Sequence, residues 1–91
     1  MKIHREFKVK GKVQGVFFRA TTKSLAEDLF LKGFVKNQND GSVYIEAEGE
    51  ENSLLEFAEW LSEGPPFSSV EKVIKYEGGD VKGFKSFDIR H

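Results

Sequence analysis

"FVKNQNDGSVYIEAEG", residues 34–49, holds two strands and the turn that joins them. Asn39-Asp40-Gly41 is a hairpin signal, because Asp-Gly takes up positive φ at little cost. After it, Val43, Ile45 and Ala47 alternate with Tyr44, Glu46 and Glu48. That period of two predicts an antiparallel strand with one apolar face and one face in water. Before the turn, "FVKNQ" reads as a short strand in which Val35 and Asn37 share one face and Phe34 and Lys36 the other.

Helical patterns flank the hairpin on both sides. Upstream, Leu25, Ala26, Leu29 and Phe30 recur at helical spacing over residues 21–32, with Gly33 as the expected terminator. Downstream, Ser53 and Glu56 form a capping-box pattern, and Leu54, Leu55, Ala58 and Leu61 an apolar stripe. Gly64 and Pro65-Pro66 stop that second helix. Ile3, Phe7, Val9 and Val13 occupy alternate positions of an opening strand. "VEKVIKYE" is a further strand, "GGDVKG" a loop and "FKSFDIR" a short closing strand. The order β-α-β-β-α-β, with an extra C-terminal strand, predicts one α+β domain over residues 1–91. Its expected form is a ferredoxin-like sandwich, an antiparallel sheet with two helices on one face.

Composition narrows the function. A formal net charge of −1 gives no broad field to attract nucleic acid or an anionic membrane, so any anion site must be local. The absence of cysteine removes disulfides, thiol catalysis and thiolate metal sites. No segment resembles a signal peptide or a membrane span, and a cytoplasmic location is expected. No His/Asp/Glu spacing suggests a metal; His4 and His91 lie near opposite ends of the chain. No cofactor is expected.

Residues 12–19 join the first strand to the first helix. Arg19 stands at the positive end of that helix, where a cation is unfavourable unless an anion joins it. Gly11 and Gly15 let the chain turn so that main-chain N–H groups form an anion-binding cup, with the guanidinium as a two-pronged partner. The residues alone leave a second reading open, an ordinary turn beside a solvated arginine. The pattern is not a nucleoside-triphosphate loop, since no GKS or GKT follows the turn. Asn37 can hold a water by donating and accepting together, or can serve only as a polar residue near the turn. Thr21 and Thr22 fit helix caps.

Four stretches together resemble the acylphosphatase family over nearly the whole chain: "GKVQGVFFRATT", "KGFVKNQNDGSVYIEAEG", "EFAEWLSEGPPFSSVEKV" and "GFKSFDIR". The resemblance implies hydrolysis of acyl phosphates to a carboxylate and inorganic phosphate, the latter both product and inhibitor, without a metal. It implies phosphate binding by the loop Gln14, Gly15, Val16, Phe17, Phe18 and Arg19, and a water placed by Asn37. It sets Thr22 in a supporting position. Phe34 replaces the usual tryptophan, Gln38-Asn39 the usual Leu-Pro, and Ala20 a bulkier residue. Two other classes share this element order or this loop. An RNA-recognition domain needs exposed aromatics on its third strand region, where Tyr44 stands among acidic residues. A non-catalytic phosphate-binding module would keep Arg19 and not depend on Asn37.

Overall fold

The computed structural model describes all 91 residues. Its elements are β1 (Lys2–Lys12), α1 (Phe18–Asp28), β2 (Lys32–Asn37), β3 (Val43–Glu50), α2 (Glu51–Glu63), β4 (Ser69–Glu77) and β5 (Phe87–Arg90). They form one five-stranded sheet in the order β4-β1-β3-β2-β5. The pairs β1–β3, β1–β4 and β2–β3 are antiparallel, as expected for the ferredoxin-like fold. The short β5 adds to the edge of β2 in parallel, making the sheet mixed.

The core lies between the sheet and both helices. Phe7 and Val9 of β1, Val43, Ile45 and Ala47 of β3, and Val35 of β2 meet Phe18 and Ala26 of α1 and Leu54, Phe57 and Leu61 of α2. Phe57 makes edge contacts with Phe7 and Phe87, at 5.7 and 6.3 Å between ring centroids. Burying each such side chain contributes about 1.5–3 kcal/mol.

Both helices depart from their expected bounds. α1 starts at Phe18 and ends at Asp28, and Gly33 is not its terminator. Phe30 takes the left-handed conformation (φ 59°) and closes a Schellman turn. Its N–H donates to the Glu27 carbonyl and that of Leu31 to the Ala26 carbonyl. Phe30 is therefore thrown outward, 84% exposed, and Leu31 takes its place in the core. Gly33 lies in β2 at φ 148°, where a Cβ would stand 1.9 Å from the Glu46 carbonyl oxygen. α2 starts straight from β3 at Glu51, so Ser53 lies inside the helix and forms no cap. The buried stripe is Leu54, Phe57 and Leu61, so Phe57 is buried where Leu55 was expected, and Leu55 is 54% exposed. Thr21 and Thr22 also cap nothing: Thr21 Oγ1 donates back to the Phe17 carbonyl, and Thr22 is buried in the helix.

The second face of β3 is not in water. Residues 78–86 fold across it. Lys82 Nζ reaches Glu46 Oε1 at 2.8 Å, and the N–H groups of Lys82, Gly83 and Phe84 donate to the Glu48 carboxylate. Burial pushes both carboxyls up, but these hydrogen bonds outweigh it and hold them below the ordinary range. The alternation of the strand is kept while its solvent is replaced by a loop.

Asp40 secures the β2–β3 turn. It accepts from Ser42 N at 2.9 Å and pairs with Lys8 Nζ at 2.8 Å. The Lys8 ammonium and then the Ser42 donors hold its carboxyl well below the usual value of 3.8.

Gly33→Ala is expected to lower stability by about 2–3 kcal/mol, through the clash with β3 and the strained φ. Phe30→Gly is expected to raise it by about 1 kcal/mol, since an exposed side chain leaves a left-handed position. Urea unfolding of both variants checks the two signs. Because the folded Asp40 carboxyl titrates below its unfolded value, its contribution is complete above that value and is lost as pH falls toward the folded one. Between about pH 4 and pH 2 the urea midpoint should fall more steeply in the wild type than in Asp40→Asn.

Candidate active site

The turn between β1 and α1 is shaped by two positive φ angles. Gly15 stands at φ 74°, in open space, so conformation and not room requires glycine there. Phe17, the residue before α1, is also left-handed (φ 60°, ψ 21°), with its ring exposed. Gly11 plays no part in this turn. It forms a bulge in β1 against β4, where a Cβ would lie 2.2 Å from the Ser69 carbonyl oxygen.

The consequence is a row of unused donors. The main-chain N–H groups of residues 14–20 donate to no protein acceptor. No acidic residue lies in the first turn of α1 and no side chain caps it. Unpaired main-chain N–H groups beside the positive end of a helix attract an anion.

A cavity of about 380 Å³ opens on this row, lined by Val13, Gly15, Phe17, Phe18, Arg19, Ala20, Asn37, Ile89 and His91. Arg19 is oriented from the far edge of the sheet. Its Nη1 donates to the Arg90 carbonyl at 3.3 Å and to His91 Nδ1 at 3.1 Å. Nε and Nη2 are left without a protein partner, so one side of the guanidinium fork remains open. Asn37 enters from the last position of β2. Its Oδ1 is buried and has no hydrogen-bond partner. A buried amide oxygen without a donor is costly, and a water or substrate donor would relieve it.

The structure thus brings Gly15, Phe17, Phe18, Arg19 and Asn37 around one cavity and leaves three expected residues off its wall. Gln14 turns away: its Nε2 donates to the Gln38 and Ser42 carbonyls at 2.8 and 2.9 Å, tying the loop to the hairpin that carries Asn37. Val16 packs against the core and lines a second groove with Pro65, Pro66 and the exposed Phe67. Thr22 is buried with its hydroxyl unpartnered. Val13, Ile89 and His91 escaped the sequence reading. His91 is 72 residues from Arg19, and only the docking of β5 beside β2 brings the two together.

Comparison with known proteins points to one family. The acylphosphatase family model matches residues 5–89. The acylphosphatase of Mannheimia succiniciproducens is 43% identical over 89 residues, covering 98% of this chain and 99% of that one. The acylphosphatase of Pseudothermotoga lettingae is 48% identical over 82 residues, covering 90% and 91%. The crystal structure of acylphosphatase from Bacillus subtilis superposes with a TM-score of 0.95 at 40% identity, covering 100% of both chains. With similarity that spans the whole length of its relatives, this chain belongs to the acylphosphatase family, enzymes that hydrolyse acyl phosphates.

Proposed function

We propose that the phosphoryl group of the acyl phosphate docks on the free N–H groups of residues 14–20 and on the open side of Arg19, while Asn37 places the attacking water. The observation that carries this reading is the convergence, on one cavity, of unused donors, an open guanidinium and a buried amide oxygen without a partner. Phosphoryl transfer through a loose transition state needs its oxygens neutralised and its nucleophile held in line. The amides and the guanidinium supply the first, and a water held by Asn37 supplies the second.

The carboxylate product is a good leaving group and needs no general acid. The proton of the water passes to a phosphate oxygen of the substrate, so no side chain in the cavity has to serve as a base. The metal role of charge neutralisation falls to Arg19, and turnover proceeds without a cation. Gln14 acts at one remove, fixing the loop against the hairpin so that Asn37 and the amide row keep their separation. The buried Thr22 supports the first turns of α1 from beneath. Inorganic phosphate, bound by the same groups, acts as product and competitive inhibitor.

Steady-state hydrolysis of benzoyl phosphate, with phosphate as inhibitor, tests the assignment. Arg19→Ala is expected to lose both phosphate affinity and turnover, with a barrier increase of about 3–4 kcal/mol. Asn37→Ala is expected to lower kcat by about a hundredfold or more while phosphate inhibition stays within a factor of about two. An Asn37→Ala enzyme that turns over at the unmodified rate would remove the water-placing role.

A further inference from the structure

The sheet face turned away from the helices carries a second constellation, which acyl phosphate hydrolysis does not use. His4 and Glu6 stand two residues apart on β1. Across the β1–β3 ladder, His4 is paired with Glu48 and Glu6 with Glu46. Alternation puts all four on one face, beneath residues 78–86.

Two features of His4 point outward from the protein's own bonding. Its side chain is fully buried, yet Nε2 has no hydrogen-bond partner. Its other nitrogen, Nδ1, lies 2.7 Å from Glu48 Oε2, and Glu48 is held in turn by the N–H groups of Lys82, Gly83 and Phe84. A carboxylate on Nδ1 fixes the tautomer that leaves the Nε2 lone pair free, the outer-shell arrangement that metal-binding histidines use. Nε2 lies 3.4 Å from Glu6 Oε2 and 3.3 Å from Glu46 Oε1. Three electron-rich atoms this close repel one another unless a proton or a metal ion joins them.

The spacing matches a particular kind of cation. Ligand arms of about 2.0–2.1 Å around a tetrahedral ion give edges of about 3.3–3.4 Å, which the two separations from His4 Nε2 match. The three donor atoms all lie within 4.8 Å of one another. Charge agrees: the three carboxylates Glu6, Glu46 and Glu48 face the single ammonium of Lys82, leaving room for a dication. One nitrogen and two oxygens suit a borderline first-row ion, whereas calcium needs six or more oxygens. The Glu6 side chain, 28% exposed, gives the ion a way in.

We propose that His4 Nε2, Glu6 Oε2 and Glu46 Oε1 form a binding site for a divalent cation of the zinc class, with Glu48 as the outer partner of His4. The site is structural: it clamps β1 to β3 and lies outside the cavity lined by Arg19 and Asn37. Lys82 is its built-in competitor. Its Nζ rests on Glu46 Oε1 at 2.8 Å, and its half-exposed side chain is free to swing out when a dication enters.

The test uses the full chain, stripped with a chelator. Zinc is titrated by calorimetry, and cobalt by visible absorption, which is intense for a four-coordinate ion. The expected result is saturable uptake of one ion per chain, a four-coordinate cobalt spectrum, and a higher unfolding temperature with unchanged turnover of acyl phosphate. His4→Gln and Glu6→Gln should each weaken zinc binding by about a hundredfold or more, and Glu48→Gln by about tenfold to a hundredfold. Lys82→Met should strengthen it several-fold by removing the ammonium. If His4→Gln does not fold, judged by circular dichroism, the partly exposed Glu6 carries the comparison. No saturable binding by the wild type, or affinity unchanged in Glu6→Gln, would overturn the site.

Discussion

In the register that pairs Phe7 with Ile45 and Val9 with Val43, β1 and β3 set the two sides of the whole sheet. They are two of its three inner strands, with β4 beside one and β2 beside the other. Because side chains alternate, this single register sends Phe7, Val9, Val43 and Ile45 toward the helices and gathers His4, Glu6, Glu46 and Glu48 on the opposite face. A slip of either strand by one residue would turn its own side chains over. That strand's apolar residues would then lose the packing of the helices, and its two ionisable groups would face a hydrocarbon core. The register is therefore specified from both sides at once, by what must be buried dry and by what must be buried paired.

The active end of the molecule follows from where those strands stop. β1 ends at Lys12 and β2 at Asn37, so the loop that leaves β1 and the asparagine that finishes β2 arrive at the same edge of the sheet. Gln14 holds them there through the Gln38 and Ser42 carbonyls, and Asp40 with Lys8 braces the same hairpin from outside. β5 completes the cavity by bringing Ile89 and His91 alongside. Arg19 is thus an unfavourable charge at a helix entrance that the free protein tolerates through the Arg90 carbonyl and His91 Nδ1.

The element order and the loop at residues 12–19 were legible because they rest on local signals: alternation, helical spacing, Asp-Gly and the Gly-Pro-Pro stop. What was illegible depended on contacts between distant segments. Gly33 looks like a helix terminator in sequence, yet it is there because β3 passes too close for a Cβ, while an exposed phenylalanine ends the helix. Ser53 and Glu56 make a capping pattern that is overridden because β3 runs directly into α2. Glu46 and Glu48 read as solvent-facing, since nothing in "GGDVKG" shows that the loop will fold back over them. His4, Glu6 and Glu46 have no metal-ligand spacing along the chain; the cross-strand register alone makes them neighbours. The parallel pairing of β5, and with it the place of His91, was hidden for the same reason.

In the proposed mechanism the groups that hold the phosphoryl oxygens belong mostly to the main chain, so changes in neighbouring side chains leave those donors in place. Ala20, Phe34 and the Gln38-Asn39 pair depart from the common pattern of the family, but none of them supplies an N–H that another residue would not. What the loop cannot give up is its path, which rests on left-handed conformations at Gly15 and Phe17. A phenylalanine at positive φ is strained, and with its ring in water it recovers little by packing. The Gln14 side chain anchors this path at one end and the first turn of α1 at the other. In the proposed mechanism the anion site is thus a property of a constrained backbone, to which Arg19 adds charge and Asn37 the amide that holds the water.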